Sequence, residues 1–599
     1  MHKSTMANLR IIENGMTKTL VLELLMMPHS PAEVTFFILH SRQGSSPPLP
    51  SVLIWLSYSE SRHEDKERIM AQGSATNRVF RNSMAMTAAT LIILLMGFVV
   101  VPVAISRVGL ALYGVWVILS GVLSYFSLFD LGVGGTFVTQ LAMASAQEDR
   151  TAVRQVVTTS LLLYMLMGAI LIPAGIYVAP RFGGWFHLSM ADSHIAQSLF
   201  WWVYIYLFMS QAFSVFGSLL IAQQRLRLVS TVNVISQIVN YLILLTALSL
   251  RLGLYAFIIA NYISWFGTTL IYFTLSVRWL EHWPMINPLK IPKQFVKSLL
   301  AFGGWIQINR LSNQINNETD RILIGLYVNA SVAGVYQLGN KLAQLTRRFP
   351  LNFSSALLPV FSVWEAQHES QDLIRAHYVD ASRYLALATF YLAGLLAAAS
   401  SLFMYFWLGH RYTHFFLIVG LLLITYSVNN LTGIGTTYLR GVGRPRLESY
   451  YAIVGSVLKL GLSLALAPEY GLLGILLGTV IGTVMGSLYF LWLFFRVLHI
   501  TWWQGLGRWL LSLLPATLLA LTVVHQVSQW ALSLGTSRGI TFLSLAAMTG
   551  LYTIFFAWLL RLSGFYAPRD IARLQRHIPQ RWLRLLQRIQ CLPPEVDLT

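Results

Sequence analysis

The chain has one cysteine, Cys591, in 599 residues, so an intrachain disulfide is excluded and nothing points to an oxidising compartment. Charge is equally scarce. Asp, Glu, Lys and Arg together make up 11% of the residues, where a soluble domain carries ~25%. So little charge cannot coat a water-facing surface of this size. Soluble enzymes, nucleic-acid binders and disordered scaffolds are excluded at this step. Carboxylates are the rarest charged type: 23 Asp and Glu against 42 Lys and Arg, a net charge of +19. There is no G-x-x-x-x-G-K-[ST] phosphate loop, no H-E-x-x-H and no cysteine cluster, which argues against a built-in ATPase and against a metal site. No catalytic constellation is evident, so the chain reads as a non-enzyme with no cofactor.

What is present is apolar. Hydrophobic residues make up 56% of the chain, and the mean hydropathy is +0.61. A helix crossing the ~30 Å hydrocarbon layer needs ~20 mostly apolar residues. Such stretches fall near 83–106, 111–135, 155–178, 197–221, 229–250, 253–277, 298–326, 332–362, 381–408, 413–437, 448–467, 471–495, 509–527 and 540–560. Lipid-exposed backbone has to satisfy its own hydrogen bonds, and the ~10-residue alternating strands of a barrel are absent. The expected fold is therefore an all-α polytopic bundle of about 14 transmembrane helices.

Basic residues set the orientation. With the N-terminus placed in the cytoplasm, 27 Lys and Arg fall in or beside cytoplasmic loops. The outer loops hold five: Arg107, Arg181, Arg251, Arg411 and Arg538. Both termini are thus expected in the cytoplasm, and topology rather than nucleic-acid binding accounts for most of the net charge. Residues 1–69 stand apart: Pro28, His29, Pro31 and Glu33 break their apolar run, and Met70 is a plausible native start. The tail 561–599 carries seven arginines among Trp582, Leu583, Leu585, Leu586 and Ile589. It reads either as an amphipathic helix on anionic lipid or as a basic tail without a specific partner.

A repeat with a period near 219 residues runs through the chain. Arg225-Leu226-Arg227-Leu228 aligns with Arg444-Pro445-Arg446-Leu447, Gly114-Val115-Trp116 with Gly334-Val335-Tyr336, and Gly253-Leu254 with Gly471-Leu472. Gly474, Gly478, Gly482 and Gly486 align with Ala256, Ala260, Ser264 and Thr268. All are small and share one helix face, which predicts close helix packing rather than chemistry. Six spans per repeat make the two lobes parallel: 78–280 and 281–499. Residues 500–560 form an added pair of helices, followed by the tail.

A charge at the bilayer centre costs roughly 2.5–3.5 kcal/mol or more, so each intramembrane charge needs a reason. On the seventh span Arg310, Asn313, Asn317 and Arg321 share a face flanked by Glu318 and Asp320. The eighth span carries Gln337, Asn340, Lys341, Gln344, Arg347 and Arg348, and the eleventh carries Lys459. Pooled with Asp130, these cations and carboxylates would leave a wet cavity with a positive excess, suited to an anion. Several have structural readings. Arg347 and Arg348 can snorkel to a membrane edge, Arg321 and Asp320 can pair locally, and Asp130 can cap the end of its span. Asn233, Asn240 and Asn261 read as interhelical hydrogen bonds.

The motifs Leu112-Tyr113-Gly114-Val115-Trp116 and Phe129-Asp130-Leu131-Gly132-Val133-Gly134 are similar to those of the polysaccharide and O-antigen-repeat flippases. So are Asp320-Arg321-Ile322-Leu323-Ile324-Gly325 and Ala333-Gly334-Val335-Tyr336, with Lys341 and Pro359 following. The chain resembles that family of the multidrug/oligosaccharidyl-lipid/polysaccharide superfamily over roughly 78–499. The resemblance implies a MATE-like pair of six-helix lobes in a bacterial inner membrane, alternating between inward-open and outward-open states. It implies an undecaprenyl-pyrophosphate-linked oligosaccharide as substrate, and membrane lipids with polymerase or chain-length machinery as candidate partners. Arg310, Lys341, Arg347, Arg348, Lys459, Arg321 and Asn317 are the expected substrate contacts. With H+ or Na+ as a coupling ion, Asp320, Glu318 and Asp130 are the candidate carriers. A lipid II flippase and a MATE-type exporter of cationic drugs are the alternatives. The cation excess disfavours the exporter, and a membrane glycosyltransferase or polymerase would need a large outer loop, whereas the longest here is about 179–196.

Overall fold

The computed structural model describes residues 5–13, 16–25, 34–41 and 54–57, and 92–566 apart from 94, 131–132, 281–292, 368–369, 410–415, 445 and 534–536. The chain divides into two units, Met1–Ile92 and Ile93–Thr599. In the first, strands β1 (Thr5–Glu13), β2 (Met16–Leu25), β3 (Val34–Ser41) and β4 (Ile54–Ser57) form an antiparallel sheet in sequential order. The all-α expectation therefore holds for the large unit, while the segment that the sequence sets apart contains strands. Met70 and tail residues 567–599 lie outside the described residues.

The described part of the large unit is helical: α1 (Leu95–Val108), α2 (Leu110–Phe126), α3 (Val133–Ala146), α4 (Arg150–Trp185), α5 (Met190–Ala222), α6 (Leu226–Ser249) and α7 (Tyr255–Leu280). There follow α8 (Lys293–Tyr327), α9 (Ala330–Ala343), α10 (Leu345–Ala356), α11 (Leu358–Ala366), α12 (Gln371–Leu408), α13 (Phe416–Asn430) and α14 (Gly433–Gly441). The series ends with α15 (Arg446–Leu498), α16 (Arg508–Ser533) and α17 (Arg538–Leu562). Among the described residues nine helices are long and apolar enough to cross a membrane, or ten if α1 and α2, bent by 119°, form one span. Helix α8 is long enough but carries the polar stripe, and the expected eighth span is divided into α9, α10 and α11.

Helix starts and ends follow local chemistry. Asp149, Ser189, Asn329 and Ser370 each accept a backbone N–H in the first turn of α4, α5, α9 and α12. The turns after α5 and α14 close with a residue of positive φ, Gln224 and Gly443, followed by a bond from the next N–H to the carbonyl five residues back. These turns are repeat equivalents. So are Gly253 and Gly471, with φ of +57° and +53°.

At Gly471, α15 folds back on itself, which explains its 53 residues. Ser463 Oγ donates to the Ile475 carbonyl at 3.3 Å. The glycine face of one arm meets the backbone of the other: a Cβ on Gly482 would lie 2.4 Å from Lys459 Cα, and one on Gly478 2.5 Å from Ser463 N. In the first lobe the equivalent small face meets α6, where Thr268 and Ser236 hydroxyls lie 2.7 Å apart. The asparagines also act as expected. Asn240 donates to Asn261 at 3.0 Å, and Asn233 accepts from Tyr272 at 2.9 Å.

The two lobes, α1–α7 and α8–α15, share one hydrophobic core at the end bearing the turns 186–189, 250–254 and 327–330. Ile118, Phe182 and Phe200 of the first lobe pack there with Ile324, Tyr336 and Val419 of the second. At the other end each lobe has its own core, one around Phe137, Val157, Phe216 and Leu220, the other around Tyr378, Tyr438, Phe490 and Phe494. Helices α16 and α17 add Leu513, Tyr552 and Phe556 to this second core.

Candidate functional site: a polar cavity in the second lobe

A cavity of about 660 Å³ lies among α8, α10, α13, α14 and both arms of α15. Its volume falls within the ~300–1,000 Å³ of small-molecule sites. Its walls are polar although α13, α14 and α15 belong to the helices apolar enough to cross a membrane. Asn313, Asn316, Thr425, Asn429, Thr432 and Thr436 line it, with Tyr426 and Tyr451 as aromatic walls.

At one end Asp320 and Lys459 form a buried ion pair, Nζ to Oδ1 2.9 Å, with both side chains 2% exposed. Lys459 also donates to the Asn316 carbonyl at 2.7 Å. Asp320 accepts from Thr479 Oγ1 at 2.9 Å and from Tyr336 OH at 2.7 Å. Burying two charges is costly, and this pair meets the requirement with these charge-assisted bonds. Asp320 sits one α8 turn from Asn316, and Lys459 faces it from the first arm of α15. The Gly482 contact lets the two arms approach closely enough to place Thr479 beside the same carboxylate.

At the other end Arg440, in the last turn of α14, holds Glu448 at the start of α15 through two bonds, one at 2.7 Å from Nε. Between the ends, Arg347 donates to Asn317 Oδ1 at 3.0 Å and lies over the Tyr426 ring at 5.9 Å. Asn317 also donates to the Asn313 carbonyl at 2.7 Å.

The residues singled out from the sequence separate into distinct places. Asp320, Lys459 and Arg347 line the cavity, with Asn317 bonded to Arg347. Arg321 instead pairs with Glu318 one turn away and packs against Gly121 of α2. Lys341 donates to the Gly97 carbonyl of α1 at 3.1 Å, beside the bond from Trp407 to the Phe98 carbonyl at 2.7 Å. Arg348 is exposed and donates to Gln344 at 3.3 Å. Arg310 is half-buried on α8, and neither it nor Lys341 is among the cavity-lining residues. The Asp130 side chain lies outside the described residues. The expected pool of six cations in one cavity is thus not the arrangement found: Asp320 neutralises Lys459, Glu318 neutralises Arg321, and Lys341 joins α9 to α1.

Sequence reasoning missed Arg440, Glu448, Asn316, Asn429, Thr436 and Thr479. One signal was available. The run Asn429-Asn430-Leu431-Thr432-Gly433-Ile434-Gly435-Thr436-Thr437 is too polar and glycine-rich for a lipid-facing span. It separates α13 from α14 and forms one cavity wall.

The helices superpose on a lipid II flippase MurJ in an inward closed conformation, with a TM-score of 0.60 at 16% identity, over 80% of this chain and 99% of that one. The chain has a MATE-like fold. An inward-facing multidrug resistance MATE family transporter of the MOP superfamily gives a TM-score of 0.53 at 13% identity, covering 68% of this chain and 94% of that one. Residues 79–364 match the family described as polysaccharide biosynthesis protein. The teichuronic acid biosynthesis protein TuaB of Bacillus subtilis is 26% identical over 177 residues, 29% of this chain. That match spans about a third of the relative, 36% of its length. This MATE-like chain therefore carries its polar cavity in the second of two lobes of a multi-pass bundle, and its structural neighbours are flippases and transporters rather than enzymes.

Proposed function

We propose that the protein is a flippase that moves an undecaprenyl-pyrophosphate-linked oligosaccharide from the inner to the outer leaflet of the bacterial cytoplasmic membrane by alternating access. The observation that carries the reading is a polar cavity of about 660 Å³, walled in part by membrane-spanning helices, in a MATE-like fold whose residues 79–364 match a polysaccharide biosynthesis family. Two lobes with a common core at one end and separate cores at the other support a rocking motion. With both termini in the cytoplasm, the separate cores lie on the cytoplasmic side.

The pyrophosphate needs cations away from water. Arg holds phosphate oxygens through a fork, and Lys acts as a point charge. Arg310 and Lys341, neither of them a lining residue of the cavity, are the residues assigned to it, with Arg348 extending the basic track. An inside-negative potential favours outward movement of the anion by ~2.3 kcal/mol per net charge per 100 mV. A carboxylate that exchanges H+ or Na+ would couple the cycle to a gradient, and Asp320, Glu318 and Asp130 are the candidates. Membrane lipids and polysaccharide polymerase or chain-length machinery are the assigned partners.

The experiment is complementation of a deletion strain by the full chain. Wild type restores surface glycan, while Arg310→Ala with Lys341→Ala accumulates in the membrane yet exports none. Normal export by that double variant removes the pyrophosphate assignment. Failure of wild type to restore the glycan removes the flippase reading.

A further inference from the structure

The donor and acceptor pattern of the second-lobe cavity identifies the part of a substrate it can hold. Three lining threonines spend their hydroxyl protons on the backbone: Thr425 on the Leu421 carbonyl at 2.9 Å, Thr432 on the Asn429 carbonyl at 2.7 Å, and Thr436 on the Gly433 carbonyl at 3.0 Å. Each therefore turns only acceptor lone pairs toward the cavity. Donors come from Arg347, from the Asn313 amide and from the second proton of the Asn429 amide, which also donates to Ser487 at 3.4 Å.

Charge is compensated inside the walls. Asp320 lies in the ion pair with Lys459, and Glu448 in the pair with Arg440. Arg347 is the remaining cation among the lining residues. A pyrophosphate is acceptor-only and would meet a row of threonine acceptors with that single cation to offset them. A cationic drug would meet Arg347 with both carboxylates already paired. An isoprenoid tail would leave the amides and hydroxyls unbonded, at a cost for each. A sugar fits, because every hydroxyl both donates and accepts, and a pyranose face packs on an aromatic ring such as Tyr426 or Tyr451.

We propose that this cavity is a glycan subsite. It holds hydroxyl-rich sugar units of the substrate, with at most one acidic substituent against Arg347, and the pyrophosphate stays outside it. The inference rests on the flippase reading and adds where the sugar sits. Thr425, Thr432 and Thr436 then select the glycan through the hydroxyls that donate to them.

The test uses the full chain in the complemented deletion strain, so that a wild type unable to restore glycan separates failure of the flippase reading from failure of the subsite. Photoreactive benzoylphenylalanine is placed at Asn313, an exposed position on the cavity wall, at Thr436, and at the outward-facing Leu477 as control. After illumination the purified protein is oxidised with periodate and probed with a hydrazide for carbohydrate. Carbohydrate adducts at Asn313 and Thr436 that disappear in a strain unable to make the glycan are expected, with none at Leu477. An Asn313-substituted chain that exports glycan but gives no carbohydrate adduct overturns the subsite. As a second measurement, Thr436→Val keeps shape but loses the acceptor, and export should fall severalfold, up to about tenfold, at equal protein level. Thr436→Ser restores it. Export unchanged in a well-expressed Thr425→Val, Thr432→Val, Thr436→Val chain also overturns the proposal.

Discussion

Gly114 of α2 and Gly334 of α9, equivalent positions in the two repeats, pack directly against each other. A Cβ on Gly334 would lie 3.4 Å from Gly114 Cα and 3.3 Å from the Leu110 carbonyl, while one on Gly114 would lie 1.8 Å from the Ala330 carbonyl. Residues related by the repeat meet where the lobes join. The same two glycines that mark the duplication in the sequence therefore hold its halves together.

The two sites differ in tolerance. Gly114→Ala drives a methyl into backbone that cannot yield, so it should destabilise by ~1–3 kcal/mol or more. Gly334→Ala meets a tight but adjustable contact and should cost less. Thermal unfolding in detergent compares them, and equal midpoints would contradict so close an approach of the two helices.

Gly482→Ala should be as damaging as Gly114→Ala, because its Cβ would meet Lys459 backbone at 2.4 Å. Gly461, on the other arm, has open space at the Cβ position, and Gly461→Ala should be neutral or slightly stabilising. The ratio of folded to aggregated protein by size-exclusion fluorescence checks the contrast.

Removing one member of the buried Asp320–Lys459 pair leaves an uncompensated charge. Lys459→Met alone should cost ~3–5 kcal/mol, and most of it should return in the Asp320→Asn, Lys459→Met double variant. A double variant no more stable than the single one would show that the pair is not the reason for the loss.

Asp320 also tests coupling. If it exchanges an ion during the cycle, Asp320→Asn should export glycan at a rate that no longer responds to collapse of the proton or sodium gradient. Retained gradient dependence in both Asp320→Asn and Glu318→Gln would exclude these two carriers.

Orientation follows from reporter fusions. Cytoplasmic reporters should be active at Gln147 and Arg444, and a periplasmic reporter at Ala191. A cytoplasmic signal at Ala191 would invert the assignment.

Composition and period determined a great deal by themselves. Membrane residence follows from apolar runs because lipid admits only self-satisfied backbone, and the duplication follows from small residues at a fixed offset. The two arms meeting near Gly471 and the small face of Gly474 to Gly486 were legible, since each depends on local periodicity, and so was the hydrogen-bonding role of Asn240 and Asn261, though not that they bond each other. Which charges neutralise which was not. On a helical face Arg310, Asn313, Asn317 and Arg321 look alike, and Glu318 and Asp320 are two residues apart. Only the packing of α15 against α8 brings Lys459 to Asp320 rather than to Glu318, and only the α2–α8 seam sets Arg321 against Gly121. Asn429, Thr436 and Arg440 join the cavity because α13 and α14 pack beside α8 and α15 around it. Periodicity reports the face a residue occupies along its own helix. Pairing depends on distances between helices 140 residues apart in sequence, as between Asn316 and Ser456, and those are decided by how the whole bundle packs.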